Sequence, residues 1–268
     1  VKRKSPRLIG VVHLPPLPGS PRADLRAGAA TAVDTIVAGV VRDVDALVRA
    51  GFDGVVVENF GDAPFEPDRV APITIAAMTR AVAAACDGRL QVGVNVLRND
   101  AASALAIAAA TGAGFVRVNV HVGAVVADQG LIEGRAHETL RLRRALGADR
   151  VAIFADVDVK HAAPLGARPV ADVTRDVVER GLADAVLVTG KATAAAVDVG
   201  VLRAVRDATT TPVYVASGAS AGDLARLADA GATGVIVGST LRADGRPGGP
   251  IDRRKAAAFA KAFARAFG

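Results

Sequence analysis

The chain has 268 residues, of which 51% are hydrophobic and 3% aromatic, with one cysteine and a formal net charge of +6. A chain of this length buries roughly three quarters of its unfolded surface, so it needs neither disulfide nor metal to hold a core, and the lone Cys86 excludes an internal disulfide. No apolar run reaches the roughly 18 residues of a membrane span. Much of the basic excess sits in "KRKSPR" and "DRRKAAAFAKAFAR" at the two ends, without base-stacking aromatics, which argues against a nucleic-acid partner.

The stretch "LIGVVHLPPLPG" follows the basic "VKRKSPR" but breaks into prolines instead of a small-residue cleavage site, so it reads as a strand and not a signal peptide. Residues 1–7 read as a basic N-terminal extension, and the expected location is cytoplasmic. From residue 8 onward a Val-rich run, a polar or glycine-rich turn and an Ala-rich helical stretch recur. The runs are "LIGVVHL" (8–14), "FDGVVVEN" (52–59), "QVGVNVL" (91–97), "FVRVNV" (115–120), "VAIFADV" (151–157), "AVLVTG" (185–190), "PVYVASG" (212–218) and "GVIVGST" (234–240). Stretches of helical period fill the gaps, and several end at glycine ("RAG", "ATG", "ERG", "DAG"), a common helix stop. Eight strands alternating with eight helices predict an α/β fold, a single (β/α)8 (TIM) barrel over residues 1–268. A doubly wound sheet would more often carry a glycine fingerprint after its first strand, where this chain has "HLPPLPGSP".

In such a barrel the active site lies at the C-terminal ends of the strands, and polar residues gather there. His13 closes the first run, Glu58 and Asn59 the second, and Asn95 the third, followed by Arg98, Asn99 and Asp100. In the fourth, alternation sets Arg117, Asn119 and His121 on one face and Val116, Val118 and Val120 on the other. In "FADVDVKH" (154–161), Asp156, Asp158 and Lys160 fall at every second position, with His161 alongside. Gly190 and Lys191 close the sixth run, Ser217 and Gly218 the seventh, and Gly238 and Ser239 the eighth. "HVGAVVADQGLIEGRAH" (121–137) reads as a long connection at the catalytic face, either a lid or a subunit interface.

Taken in order, "GVVHLPPLPGSPR", "GFDGVVVENFGDAPF", "GVNVLRND", "FVRVNVHVGA", "DQGLIEGRAHETLRLRR" and "ADVDVKHAAPL" resemble the BtpA/SgcQ family from about residue 8 to the C-terminus. That resemblance implies a barrel of the ribulose-phosphate-binding type. One branch of the family is associated with photosystem I assembly or stability, and another lies beside genes for sugar uptake. The likeness weakens at "TGKATAAAVD" and "VASGAS", which carry fewer glycines than the family pattern.

Glu58 and Asp156 are the acid/base candidates, because neighbouring carboxylates in a poorly solvated mouth drive their pKa values apart. The alternative is a structural ion-pair network with Arg117 and Lys160. Lys160 as a Schiff-base amine is disfavoured by its two flanking carboxylates, which would raise its pKa. His13, Asn59, Asn95, Arg98, Arg117, Asn119, His121 and Asp158 are expected to bind substrate. Gly190, Lys191, Ser217, Gly218, Gly238 and Ser239 are expected to bind phosphate, with Lys191 or Arg242 adding charge. His13, His121 and His161 with Glu58, Asp156 and Asp158 lack tight metal-ligand spacing, so no cofactor is assigned beyond a loosely held divalent ion such as Mg²⁺. The expected partner is a phosphorylated or ribosyl-containing small molecule, with a homo-oligomer open. The expected reaction is glycosidic-bond cleavage by carboxylate acid/base catalysis. Aldolase or isomerase chemistry on a sugar phosphate and a non-catalytic assembly role are the alternatives.

Overall fold

The computed structural model describes residues 5–158, 162–190 and 197–268. Eight parallel strands close into a barrel: β1 (Leu8–His13), β2 (Gly54–Glu58), β3 (Gln91–Asn95), β4 (Phe115–Val118), β7 (Ala152–Asp158), β9 (Ala185–Val188), β10 (Val213–Ala216) and β11 (Gly234–Val237). Around the barrel they run β1-β11-β10-β9-β7-β4-β3-β2, so each of the eight predicted runs supplies one staff. The outer helices include α1 (Ala29–Ala50), α2 (Pro72–Ala85), α3 (Ala101–Thr111), α4 (Ala136–Ala145), α5 (Val170–Arg175), α6 (Val199–Asp207), α7 (Leu224–Asp229) and α8 (Arg253–Phe267).

Strands buried on both faces need apolar residues in both directions. Val55, Val57, Val92, Val94, Val116 and Val118 belong to the core shared with the helices. The opposite, inward set forms a second cluster of Ile9, Val11, Val56, Phe115, Phe154, Leu187, Tyr214 and their neighbours, and this plugs the barrel. Within the plug the Phe115 and Phe154 rings stack at 4.6 Å between centroids, and Phe154 and Tyr214 at 5.2 Å. The glycine of "QVGVNV" has a packing cause, since a Cβ on Gly93 would lie 2.2 Å from the Phe115 ring.

Three of the four predicted glycine stops adopt positive φ, at Gly51, Gly112 and Gly231. At the fourth, the positive φ falls on Leu182 instead of Gly181. The predicted N-terminal extension is tied down where it meets the barrel: the Arg7 and Leu8 amides donate to the Asp53 carboxylate, and the Arg7 guanidinium reaches the Phe267 carbonyl.

The long connection after β4 is neither wholly loop nor part of the barrel. It forms β5 (Ala124–Ala127) and β6 (Gly130–Glu133), which with β8 (Ala162–Pro164) make a three-stranded antiparallel sheet ordered β6-β5-β8. Ile132 and Val120 anchor its inner face, while Val126, Leu131 and Leu165 remain exposed.

Candidate functional site

One step beyond the apolar plug the inward positions turn polar. Parallel pairing sets His13 beside Glu58 and Glu58 beside Asn95, so the ends of β1, β2 and β3 form a row. On β4 the inward alternation carries Phe115 into the plug, then Arg117 and Asn119 to the mouth. On β7 the same step leads from Phe154 to Asp156, whose side chain is fully buried. Asp156 accepts from Arg117 Nε at 3.1 Å, Arg117 Nη2 at 3.0 Å and Asn119 Nδ2 at 2.8 Å. This forked guanidinium–carboxylate pair is the stronger, geometrically defined kind of ion pair. Glu58 Oε2 lies 3.9 Å from Arg117 Nη1, and Glu58 Oε1 lies 4.0 Å from His13 Nε2.

His13 is oriented from behind. The Gly248 amide donates to His13 Nδ1 at 3.2 Å, and Arg242 Nη2 approaches the same nitrogen at 3.3 Å. With Nδ1 the acceptor, the neutral ring carries its proton on Nε2, toward Glu58. The ring lies against Gly238, where a Cβ would sit 2.8 Å from His13 Cε1. A glycine at the end of β11 therefore makes room for the imidazole.

His13, Glu58, Arg98, Arg117 and Asn119 line a cavity of about 1070 Å³. Its wall continues over Phe60 and Phe65 to α1 and to Gly248–Pro250. Burial disfavours the Arg117 charge, yet Asp156 and Glu58 outweigh it and hold the pKa above its ordinary value. At Arg98 burial wins over the same two carboxylates and lowers the pKa.

Other predicted residues stand elsewhere. Asn59 Oδ1 accepts from the Leu97 amide at 2.7 Å and its Nδ2 donates to Asp62, so it braces the loop after β3 and does not line this cavity. Asn95 is fully buried beneath the mouth; its Nδ2 reaches Asn119 Oδ1 at 3.3 Å, and its Oδ1 has no partner among the described residues. His121 departs from the predicted face because β4 ends at Val118. Its Nε2 meets the Gly181 carbonyl at 2.8 Å, burial lowers its pKa, and it does not line the cavity. The register shifts between Asp156 and Asp158, which interrupts the every-second-residue count expected of "DVDVK". Lys160, His161 and Lys191 lie outside the described residues.

The turns after β10 and β11 sit together. Ser217 (φ 93°) and Gly218 (φ 77°) form one, and Ser239 opens a short 3-10 turn in the other. The Ser217 amide donates to the Ile236 carbonyl and Thr240 Oγ1 to the Ala219 carbonyl. Gly190 is buried at the end of β9. Arg242, expected to add charge there, is instead 1% exposed and donates to the carbonyls of Val11, Gly238 and Gly248. Its role in holding His13 joins positions 229 residues apart and has no local sequence signal. Among the described residues no three His, Cys, Asp or Glu side chains are grouped to hold a metal ion, and no helix is long and apolar enough to cross a membrane.

The profile of the BtpA family matches residues 4–265. A photosystem I biogenesis protein BtpA from a Synechocystis strain is 47% identical over 264 residues, covering 96% of this chain and 88% of its own length. An uncharacterised protein of Thermococcus kodakarensis is 46% identical over 242 residues, covering 89% of this chain and 88% of its own. Among solved structures, the N-(5'-phosphoribosyl)anthranilate isomerase of Pyrococcus furiosus superposes with a TM-score of 0.59 at 14% identity, covering 97% of this chain and 99% of that one. The last likeness is one of fold.

Proposed function

We propose that this chain, which belongs to the BtpA family, is an enzyme that cleaves a glycosidic bond in a phosphorylated, pentose-containing small molecule. The observation that carries the reading is Glu58, a carboxylate on the cavity wall 4.0 Å from His13 Nε2 and 3.9 Å from the Arg117 guanidinium. Glu58 takes a proton from water as the hydroxyl joins the anomeric carbon. The departing atom then collects that proton from the Glu58 carboxyl, which returns to the carboxylate, so atoms and charges balance. Asp156, engaged by three donors, positions Arg117 and Asn119 and is not assigned the proton transfer. Asn119 and Arg98 hold hydroxyl and anionic groups, and the turns at Ser217–Gly218 and Gly238–Ser239 receive phosphate.

The test is hydrolysis of a panel of pentosyl phosphates and ribosides by the purified protein, with Glu58→Gln beside it. Turnover should vanish in the variant while its circular dichroism and melting temperature hold. Full activity in Glu58→Gln would remove Glu58 from the reaction.

A non-catalytic assembly role is the second reading, favoured by the Synechocystis relative, a photosystem I biogenesis protein, and by the exposed Val126 and Leu131 on the small sheet and Leu165 just after it. The archaeal relative is nearly as similar, so the likeness does not single out that role. Absence of turnover across the panel, with co-purification of a membrane-complex subunit from the host, would favour it.

A further inference from the structure

The cavity exceeds what a pentose phosphate fills. Its volume of about 1070 Å³ stands at the upper end of the roughly 300–1,000 Å³ of small-molecule sites. The polar groups gather at the barrel mouth, while the wall beyond them carries Phe60, Phe65, Ile36, Val40 and Pro250. That wall is continuous with the reacting groups. The Phe60 ring lies 4.7 Å from the His13 ring, and Gly248 both donates to His13 and accepts from Arg242.

Gly39 is the telling residue on this wall. It stands inside the 22-residue helix α1, where glycine costs about 0.5–1 kcal/mol relative to alanine. No positive φ requires it, and a Cβ there would meet only Arg42 Nη2 at 3.5 Å, an ordinary contact. Neither conformation nor packing accounts for the glycine. Its effect is to leave the cavity wall bare of a side chain at this point, beside the Arg42 guanidinium. Arg22 and Arg42 also line the cavity, Arg42 with its Nε on Asp43 at 3.3 Å and its Nη groups beyond that contact, and a guanidinium can donate hydrogen bonds but not accept them.

Resting on the sugar-phosphate reading above, we infer that the space over Gly39 is a subsite for a planar heteroaromatic aglycone. Its flat face packs against Phe60, Phe65 and the Gly39 surface, and its edge offers acceptor atoms to Arg22 and Arg42. The substrate class is then a nucleoside monophosphate whose base presents oxo or ring-nitrogen acceptors.

The experiment is isothermal titration of the full chain with ribose 5-phosphate, inosine 5'-monophosphate and octyl phosphate. It is run on the wild type, on Gly39→Leu and on Thr35→Phe, which fills the same space from one turn earlier. Inosine monophosphate should bind the wild type at least about tenfold more tightly than ribose 5-phosphate. Both variants should erase that difference and leave ribose 5-phosphate binding as it was, with helix content retained. Equal binding of the two compounds, unaffected by the substitutions, would overturn the aglycone subsite and leave the sugar-phosphate reading standing. Tighter binding of octyl phosphate than of the nucleotide would overturn the planar ring in favour of a hydrocarbon. Binding of neither phosphorylated sugar would overturn both readings together.

Discussion

The Arg117–Asp156 pair sits where its removal is easiest to quantify. Replacing Asp156 with Ala leaves the Arg117 guanidinium, 6% exposed, with only the Glu58 contact at 3.9 Å, and strips Asn119 of its 2.8 Å acceptor. Removing one partner of a buried pair costs about 3–5 kcal/mol, because the remaining charge stays desolvated. At about 2–4 °C per kcal/mol for chains near this size, the melting temperature should fall by roughly 6–20 °C. Urea unfolding of Asp156→Ala, Arg117→Met and the double variant Arg117→Met/Asp156→Ala forms a cycle. The double variant should be more stable than the sum of the single changes by at least about 1 kcal/mol, since no orphan charge remains. Single variants within about 0.5 kcal/mol of wild type, or strictly additive ones, would show that the pair does not anchor the mouth.

Burial lowers the His121 pKa, with the Gly181 carbonyl opposing, so the folded state stays neutral where the unfolded chain, titrating near about 6.5, takes up a proton. The associated stability is complete above that value and is lost as pH falls through the depressed folded pKa. Urea midpoints measured from pH 7.5 down to 5 should therefore drop for wild type and drop less for His121→Gln, and parallel curves would refute the assignment. Gly93→Ala drives a Cβ to within 2.2 Å of the Phe115 ring and should destabilise by about 1–3 kcal/mol. The cost should shrink in a Phe115→Leu background, and an undiminished cost there would place the clash elsewhere.

The barrel was legible because strand and helix periods differ and the polar residues fall at one end of each run. Glu58, Arg117 and Asn119 could be placed at the mouth by counting two residues at a time from the apolar plug. The same count failed at His121, where β4 has already ended at Val118, and at Asp158, where the register shifts. Alternation predicts direction only while the ladder continues. The small sheet was missed because "GAVVA" and "GLIEG" are too short to show a period, and its third strand arrives from after β7. Arg242 looked like a phosphate ligand by position, and only tertiary structure reveals three carbonyls around its guanidinium.

The placement of charge within the barrel argues that the mouth is built for a ligand. A further layer of Val, Ile and Leu would extend the plug without desolvating any ion, and exchanging a buried ion pair for apolar residues is often neutral or stabilising by about 1–4 kcal/mol. This chain instead places His13, Glu58, Asn95, Arg117, Asn119 and Asp156 directly above the plug, all from β1 to β4 and β7 or the residues that follow them. On the other side the inward residues are small, with Ala216 on β10 and Gly238 after β11. The Gly238 side is where the His13 ring packs, so the end of β11 braces the polar groups from across the mouth. An assembly factor with no ligand would gain stability by filling that layer, which is why turnover by Glu58 is the measurement that separates the two readings.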